Sequence, residues 1–184
     1  MDSMIDMDSG SGIPLLARLV DPGIKPSEPR LERRAVRALV HRQGELLMIL
    51  STRRGDYKFP GGGVEPGETD VDALARELAE ECGARLTTVG AILGDTLEYR
   101  APRKVGDRVL RMLSRYYQCH IADGFGPQSL DDYEQQLGFL PVWVTPEKAL
   151  ATNLAMVREC DQDCGDLPPW TPREILVLQR LGAG

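Results

Sequence analysis

The chain of 184 residues is long enough for one domain with a proper core. Its 42% hydrophobic and 27% charged fractions are those of a soluble globular protein, and no apolar run nears the roughly 18 residues of a membrane span. A formal net charge of −6 argues against a general nucleic-acid or anionic-membrane binder, because such surfaces require clustered Lys and Arg; a small phosphorylated ligand recruited through a bound cation stays open.

The opening "MDSMIDMDSGSG" has acids where a secretory signal needs positive charge and then an apolar core, so a cytoplasmic location is the expectation. Residues 1–30, rich in Asp, Ser, Gly and Pro, read as a partly mobile N-terminal extension. Its apolar island "IPLLARLV" either docks on the body or serves an oligomer contact such as a homodimer. The body, 31–184, begins with "RRAVRALVHRQGELLMILS", a hairpin around Arg42-Gln43-Gly44. "DYKFPGGG" is a short strand broken by Pro60 and the glycines. A helix follows, with Thr69 as N-cap, Asp72 as its capping-box partner and Gly83 just past its end.

Downstream, "RLTTVGAIL", "DTLEYR", "VLRMLSRYYQCHIA" and "LPVWV" have the composition of strands. Pro146 opens the helix "PEKALATNLAMV" at its first position, and "WTPREILVLQRL" is a terminal helix with a capping box from Thr171 to Glu174. Mostly antiparallel strands interleaved with a few helices predict an α+β fold of the sandwich type.

The helix after the glycines carries the chemistry. Val71, Leu74, Ala75, Leu78, Ala79 and Cys82 follow the spacing of one buried face, while Glu77, Glu80 and Glu81 form a second stripe that points away from the core. Three carboxylates on one stripe can converge on a hard divalent cation; a solvated acidic face is the alternative. Gly61, Gly62 and Gly63 decide between them, because they let the backbone approach a ligand as residues with a Cβ often cannot.

In full, Gly62, Glu68, Arg76, Glu77, Leu78, Glu80, Glu81 and Gly83 match the pattern G-x5-E-x7-R-E-U-x-E-E-x-G-U, where U is bulky and aliphatic. The last U is Ala84, which is smaller than usual. The chain thus resembles the Nudix hydrolase family, of which MutT is a member. The resemblance implies an α/β/α sandwich with a mixed β-sheet. It also implies an enzyme that uses Mg²⁺ or Mn²⁺ and an activated water to cleave the pyrophosphate bond of a nucleoside diphosphate linked to another moiety X.

The resemblance assigns roles residue by residue. Glu77, Glu80 and Glu81 hold metal, with the Gly61 or Gly62 carbonyl as a further ligand, and Arg76 and Glu68 fix the loop against the helix. The general base is Glu77 or a downstream acid, with Glu134 in the acidic loop "LDDYEQQLGF" as the candidate and Asp131 and Asp132 as competitors. Arg53, Arg54 and Lys58, or Arg100, Arg103 and Lys104, could meet substrate phosphates. Trp143, His41 and His120 are read as structural, and Cys160 and Cys164 lack the two further ligands of a zinc site. The substrate is expected to be a small nucleotide: a nucleotide sugar, ADP-ribose, a dinucleoside polyphosphate or a nucleoside triphosphate. A catalytically silent nucleotide-binding or regulatory domain of the same fold is the alternative.

Overall fold

A computed structural model describes residues 12–25, 30–101, 108–163 and 167–182. The strands are β1 (Leu15–Val20), β2 (Arg30–Arg42), β3 (Glu45–Ser51), β4 (Asp56–Lys58), β5 (Leu86–Arg100), β6 (Val109–Ile121) and β7 (Phe139–Val144). The helices are α1 (Asp70–Cys82), α2 (Asp132–Leu137), α3 (Pro146–Asp163) and α4 (Thr171–Leu181). Among the described residues the seven strands join one mixed sheet in the order β1-β5-β6-β2-β3-β4, with β7 paired to β3. β1–β5 and β2–β6 are parallel; β2–β3, β5–β6, β3–β4 and β3–β7 are antiparallel. Among the described residues no helix is long and apolar enough to cross a membrane.

Strand alternation sorts the core into two layers. Val36, Ala38, Val40, Leu47 and Ile49 pack on one face against Ala73, Leu74, Leu78 and Cys82 of α1. Leu46, Met48 and Tyr116 pack on the other face with Ala149 of α3 and Val177 and Leu178 of α4. With period-two side chains, one strand can feed both layers, as β3 does. The result is the α/β/α sandwich.

The β2–β3 hairpin turns through Gln43 and Gly44, both at positive φ (52° and 85°), as a two-residue primed turn requires. The pair then splays after His41–Leu46 and Arg42–Glu45. The gap is filled by the glycine loop. Val36 N donates to Gly62 O at 3.0 Å, Ala38 N to Pro60 O at 2.9 Å, and Val64 N to Arg34 O at 3.0 Å. Splayed strands and an inserted loop together place the loop beside α1.

Four sequence expectations change. The apolar island is β1, docked as an edge strand on β5. The two segments 85–93 and 95–100 form one strand, β5, whose register shifts near Val89, Ile92 and Gly94. The acidic loop before β7 contains a short helix, α2, with a capping box between Asp131 and Glu134. The Thr171–Glu174 capping box does not form. The Thr171 hydroxyl instead donates to Asp56 Oδ2 at 2.7 Å, and Glu174 is buried against Arg173 Nη2 at 2.6 Å. Buried charges took both side chains away from the helix end.

Candidate active site

α1 starts and stops as its sequence requires. Thr69 and Asp72 form the reciprocal capping box, and Gly83 closes the helix in the left-handed region at φ 64°. Its buried face, however, is rotated from the one expected. Val71 is half exposed and Ala79 exposed, whereas Glu77 and Glu81 are buried. Glu77 and Glu81 do not point into solvent because the glycine loop lies over them, while Glu80 stays partly exposed.

That overlay depends on two glycines. Gly61 sits at φ 132°, and a Cβ there would overlap the Val36 carbonyl oxygen. A Cβ on Gly62 would stand 2.6 Å from Glu77 Cδ. The Gly61 amide donates to Glu81 Oε2 at 2.8 Å, while its carbonyl accepts from Arg37 Nη1. One residue thus ties α1 to Arg37 of the β2 strand. The Gly62 carbonyl is engaged by Val36.

Arg76 locks the loop to the helix. Its guanidinium grips Glu68 through two bonds, Nε to Oε1 at 2.9 Å and Nη2 to Oε2 at 3.0 Å, and also donates to Gly63 O at 2.9 Å. Nη1 reaches Glu77 Oε1 at 2.7 Å and Glu80 Oε2 at 3.2 Å. The bidentate bond to Glu68 raises the Arg76 pKa and lowers that of Glu68. Burial, followed by the neighbouring charge of Glu81, raises the Glu77 pKa; Arg76 opposes both.

Lys58 ends β4 beside this cluster. It is 9% exposed, its ammonium bonds Glu81 Oε1, and it lies 4.6 Å from the Phe139 ring centroid. With Glu81 turned to Lys58 and Glu80 to Arg76, the three glutamates do not meet on one point. Among the described residues no three acidic, His or Cys side chains converge as a ready metal cage. The donor set still suits a hard cation: the buried carboxyl groups of Glu77 and Glu81 repel one another, and such ions take carboxylate oxygens.

Glu134 is half-buried on α2, its carboxylate accepting from Asp131 N at 3.0 Å. Its pKa is pushed up to about 7, chiefly by burial; the bond from the Asp131 amide opposes the rise, and the charges of Glu81 and Lys58 act in opposite directions, so the group lies within the field of the cluster. Asp131 and Asp132 are exposed, and Asp131 is spent on capping α2.

Beyond Lys58 opens a cleft of about 1230 Å³. Its floor is one face of three strands: Arg33 and Arg37 from β2, Glu98 and Arg100 from β5, Met112 from β6. Trp170 and Arg173 wall it from the C-terminal segment, and Tyr133 stands at α2. Arg173 bridges Glu98 Oε2 at 3.0 Å and Glu174 Oε1 at 2.6 Å, all three buried. Burial, and then the charge of Arg173, lower the Arg37 pKa. Nε of Arg37 and Nε of Arg173 are buried without a hydrogen-bond partner among the described residues. Trp170 is held by its indole N–H, which donates to Asp56 Oδ2 at 2.6 Å.

Of the cations expected to meet phosphate, Lys58 and Arg100 line this cleft. Arg100 is paired with Asp21 at 3.0 Å and with Glu98. Arg53 and Arg54 sit on the exposed β3–β4 turn and are absent from the wall; Arg103, Lys104 and Cys164 lie outside the described residues. Trp143 is half-buried in β7 with the Arg42 guanidinium 3.9 Å from its ring centroid. His41 and His120 are exposed on β2 and β6. Sequence reasoning missed Arg33, Arg37, Glu98, Trp170 and Arg173. The signal was present in β2, where Arg33 and Arg37 share the face of Leu39, a half-buried residue packed against the core.

The NUDIX domain profile matches residues 31–162. The CTP pyrophosphohydrolase of Escherichia coli K12 is 36% identical over 126 residues, which covers 65% of this chain and 81% of that protein. The RNA pyrophosphohydrolase of Psychrobacter cryohalolentis is 38% identical over 68 residues, a match spanning 36% of this chain and 39% of that protein. Among solved structures, the MutT NUDIX hydrolase from Burkholderia pseudomallei superposes with a TM-score of 0.52 at 21% identity, covering 82% of this chain and 98% of that one. The E. coli ORF135 protein gives 0.51 at 24% identity, covering 83% and 89%. With the glutamate box folded under its glycine loop and the profile spanning most of the chain, this protein belongs to the NUDIX family.

Proposed function

We propose that the protein hydrolyses the pyrophosphate bond of a nucleoside diphosphate linked to a group X, in the presence of Mg²⁺ or Mn²⁺. One observation carries this reading: the complete glutamate box lies under the glycine loop and adjoins a cleft walled by Arg33, Arg37, Lys58, Arg108 and Arg173. Glu77, Glu80 and Glu81 would hold the cation, with the Gly61 carbonyl as a further oxygen. Bound there, a divalent ion would supply charge neutralisation on phosphate and a more acidic water.

The chain's own residues supply the rest. Arg76, gripped by Glu68, keeps the Glu77 and Glu80 carboxylates on the loop side of α1. Arg33 and Arg108, which make no ion pair among the described residues, offer guanidinium donors to the substrate's phosphates at the cleft mouth. Glu134, with a pKa near 7 and within the field of Glu81, takes the proton of the attacking water. Phosphoryl chemistry needs mainly positioning and electrostatics, which these groups provide.

The relatives' names support pyrophosphohydrolysis and place CTP among the first substrates to try. The test is a panel of nucleoside triphosphates, nucleotide sugars, ADP-ribose and dinucleoside polyphosphates. Released phosphate is assayed with and without a phosphatase. Turnover dependent on Mg²⁺ or Mn²⁺ on at least one class is expected; inactivity across the panel would sink the reading in favour of a binding domain.

A further inference from the structure

We infer that Lys58 is a tethered counter-ion that occupies Glu81 until a divalent cation displaces it, and that the freed ammonium then turns into the cleft toward the substrate's phosphates. The inference rests on the hydrolase reading above. Glu81 is 1% exposed, and burying a carboxylate so deeply is costly unless it is paired and hydrogen-bonded. Two bonds compensate it in this structure: the Gly61 amide on Oε2 and the Lys58 ammonium on Oε1. A cation seated on Oε1 must take the place of Nζ, because two positive charges at that separation repel strongly in a buried setting.

Lys58 is built for such an exchange. Its backbone is fixed, since β4 pairs with β3 and the neighbouring Tyr57 is bonded in both directions by Asn153, at 2.8 Å and 2.9 Å. The four-carbon stem is flexible, and the residue already forms part of the cleft wall. Its positive charge also bears on Glu77 and Glu134, the other acids of the cluster. Arg76 has no such freedom, because Glu68 and Gly63 hold its guanidinium on two further sides. The two cations therefore divide the work: Arg76 is a permanent clamp, and Lys58 leaves.

Mn²⁺ binding to the substrate-free protein tests this, by calorimetry, for the wild type, Lys58→Met, Lys58→Gln and Lys58→Arg. Removing the competing ammonium is expected to tighten Mn²⁺ binding about tenfold in Lys58→Met and Lys58→Gln while kcat/KM falls. Lys58→Arg, which keeps the charge, is expected to bind Mn²⁺ as the wild type does. A structural role alone would weaken binding or leave it unchanged, and either result in a folded Met or Gln variant overturns the inference. Absence of Mn²⁺ binding by the wild type would instead overturn the hydrolase reading together with it.

Discussion

Gly62 lies flat against the carboxyl group of Glu77, so that a Cβ would stand 2.6 Å from Cδ and 2.7 Å from Oε2. The backbone at Gly62 is not at positive φ, so alanine is compatible with its conformation and only the space is lacking. Gly62→Ala should therefore fold and push the Glu77 carboxylate off its place beside Arg76. A displacement of about 1 Å at a reacting site reduces rate on the order of 100-fold. Turnover alongside a thermal melt checks this; a variant with wild-type turnover would show that the Glu77 position is unimportant.

Glu80 and Glu81 differ in their surroundings although both belong to the box. The Glu81 side chain is 1% exposed and holds Lys58; that of Glu80 is 43% exposed and reaches Arg76 at 3.2 Å. Glu80→Gln should change stability by no more than about 0.5 kcal/mol, as surface substitutions usually do. Glu81→Gln leaves a buried ammonium facing a neutral amide and should destabilise by about 3 kcal/mol, the lower end for a broken buried pair. Both variants should lose turnover. Urea denaturation separates them, and equal stabilities would mean that the Lys58–Glu81 bond does not hold in solution.

Glu134 predicts a pH dependence. Its pKa rises from 4.5 to about 7, chiefly through burial. Only the ionised form accepts a proton, so kcat/KM should climb as pH passes through about 7 and level off above it. Glu134→Gln should lower the plateau by about 100-fold or more and remove that limb. The stability term has the opposite direction. Between about 4.5 and 7 the folded state keeps a proton that the unfolded chain has released, so this contribution is present below 4.5 and lost as pH rises through 7. A rate profile whose limb persists in the Gln variant would assign the base elsewhere.

The sequence was most legible where short-range rules operate. Thr69, Asp72 and Gly83 bound α1 as its composition requires, and Gly44 supplies the positive φ of the β2–β3 turn. Cys82 was rightly assigned to the core. Legibility failed where long-range burial overrode a local pattern. On α1, periodicity counted Val71 as inside and Glu81 as outside, but Val71 is exposed and the glycine loop buries Glu81, and nothing in the helix itself encodes that loop's position. At the C-terminus, Thr171 and Glu174 have capping-box spacing, but Asp56 and Arg173 are stronger partners in a buried layer. The cleft is a sheet face drawn from β2, β5 and β6, and its cations become visible only once those strands are in order.

Arg33 and Arg53 test which cations the substrate meets. Arg33 is exposed on the cleft wall, and its Nη2 would stand 3.2 Å from a Cβ on Gly63, so its guanidinium overhangs the glycine loop. Arg53 sits on the β3–β4 turn, where its amide donates to Leu137 O at 3.1 Å and its side chain lies off the cleft. A hydrogen bond to a charged group contributes roughly 1.5–3 kcal/mol, so Arg33→Ala should raise KM about tenfold or more. Arg53→Ala should leave KM within about twofold, as for a surface change away from the substrate. The Arg33 effect should shrink as salt screens the phosphate contact, with kcat/KM measured across ionic strengths as the readout. The reverse ranking, with Arg53 the more damaging loss, would move the phosphates out of this cleft and across the β3–β4 turn.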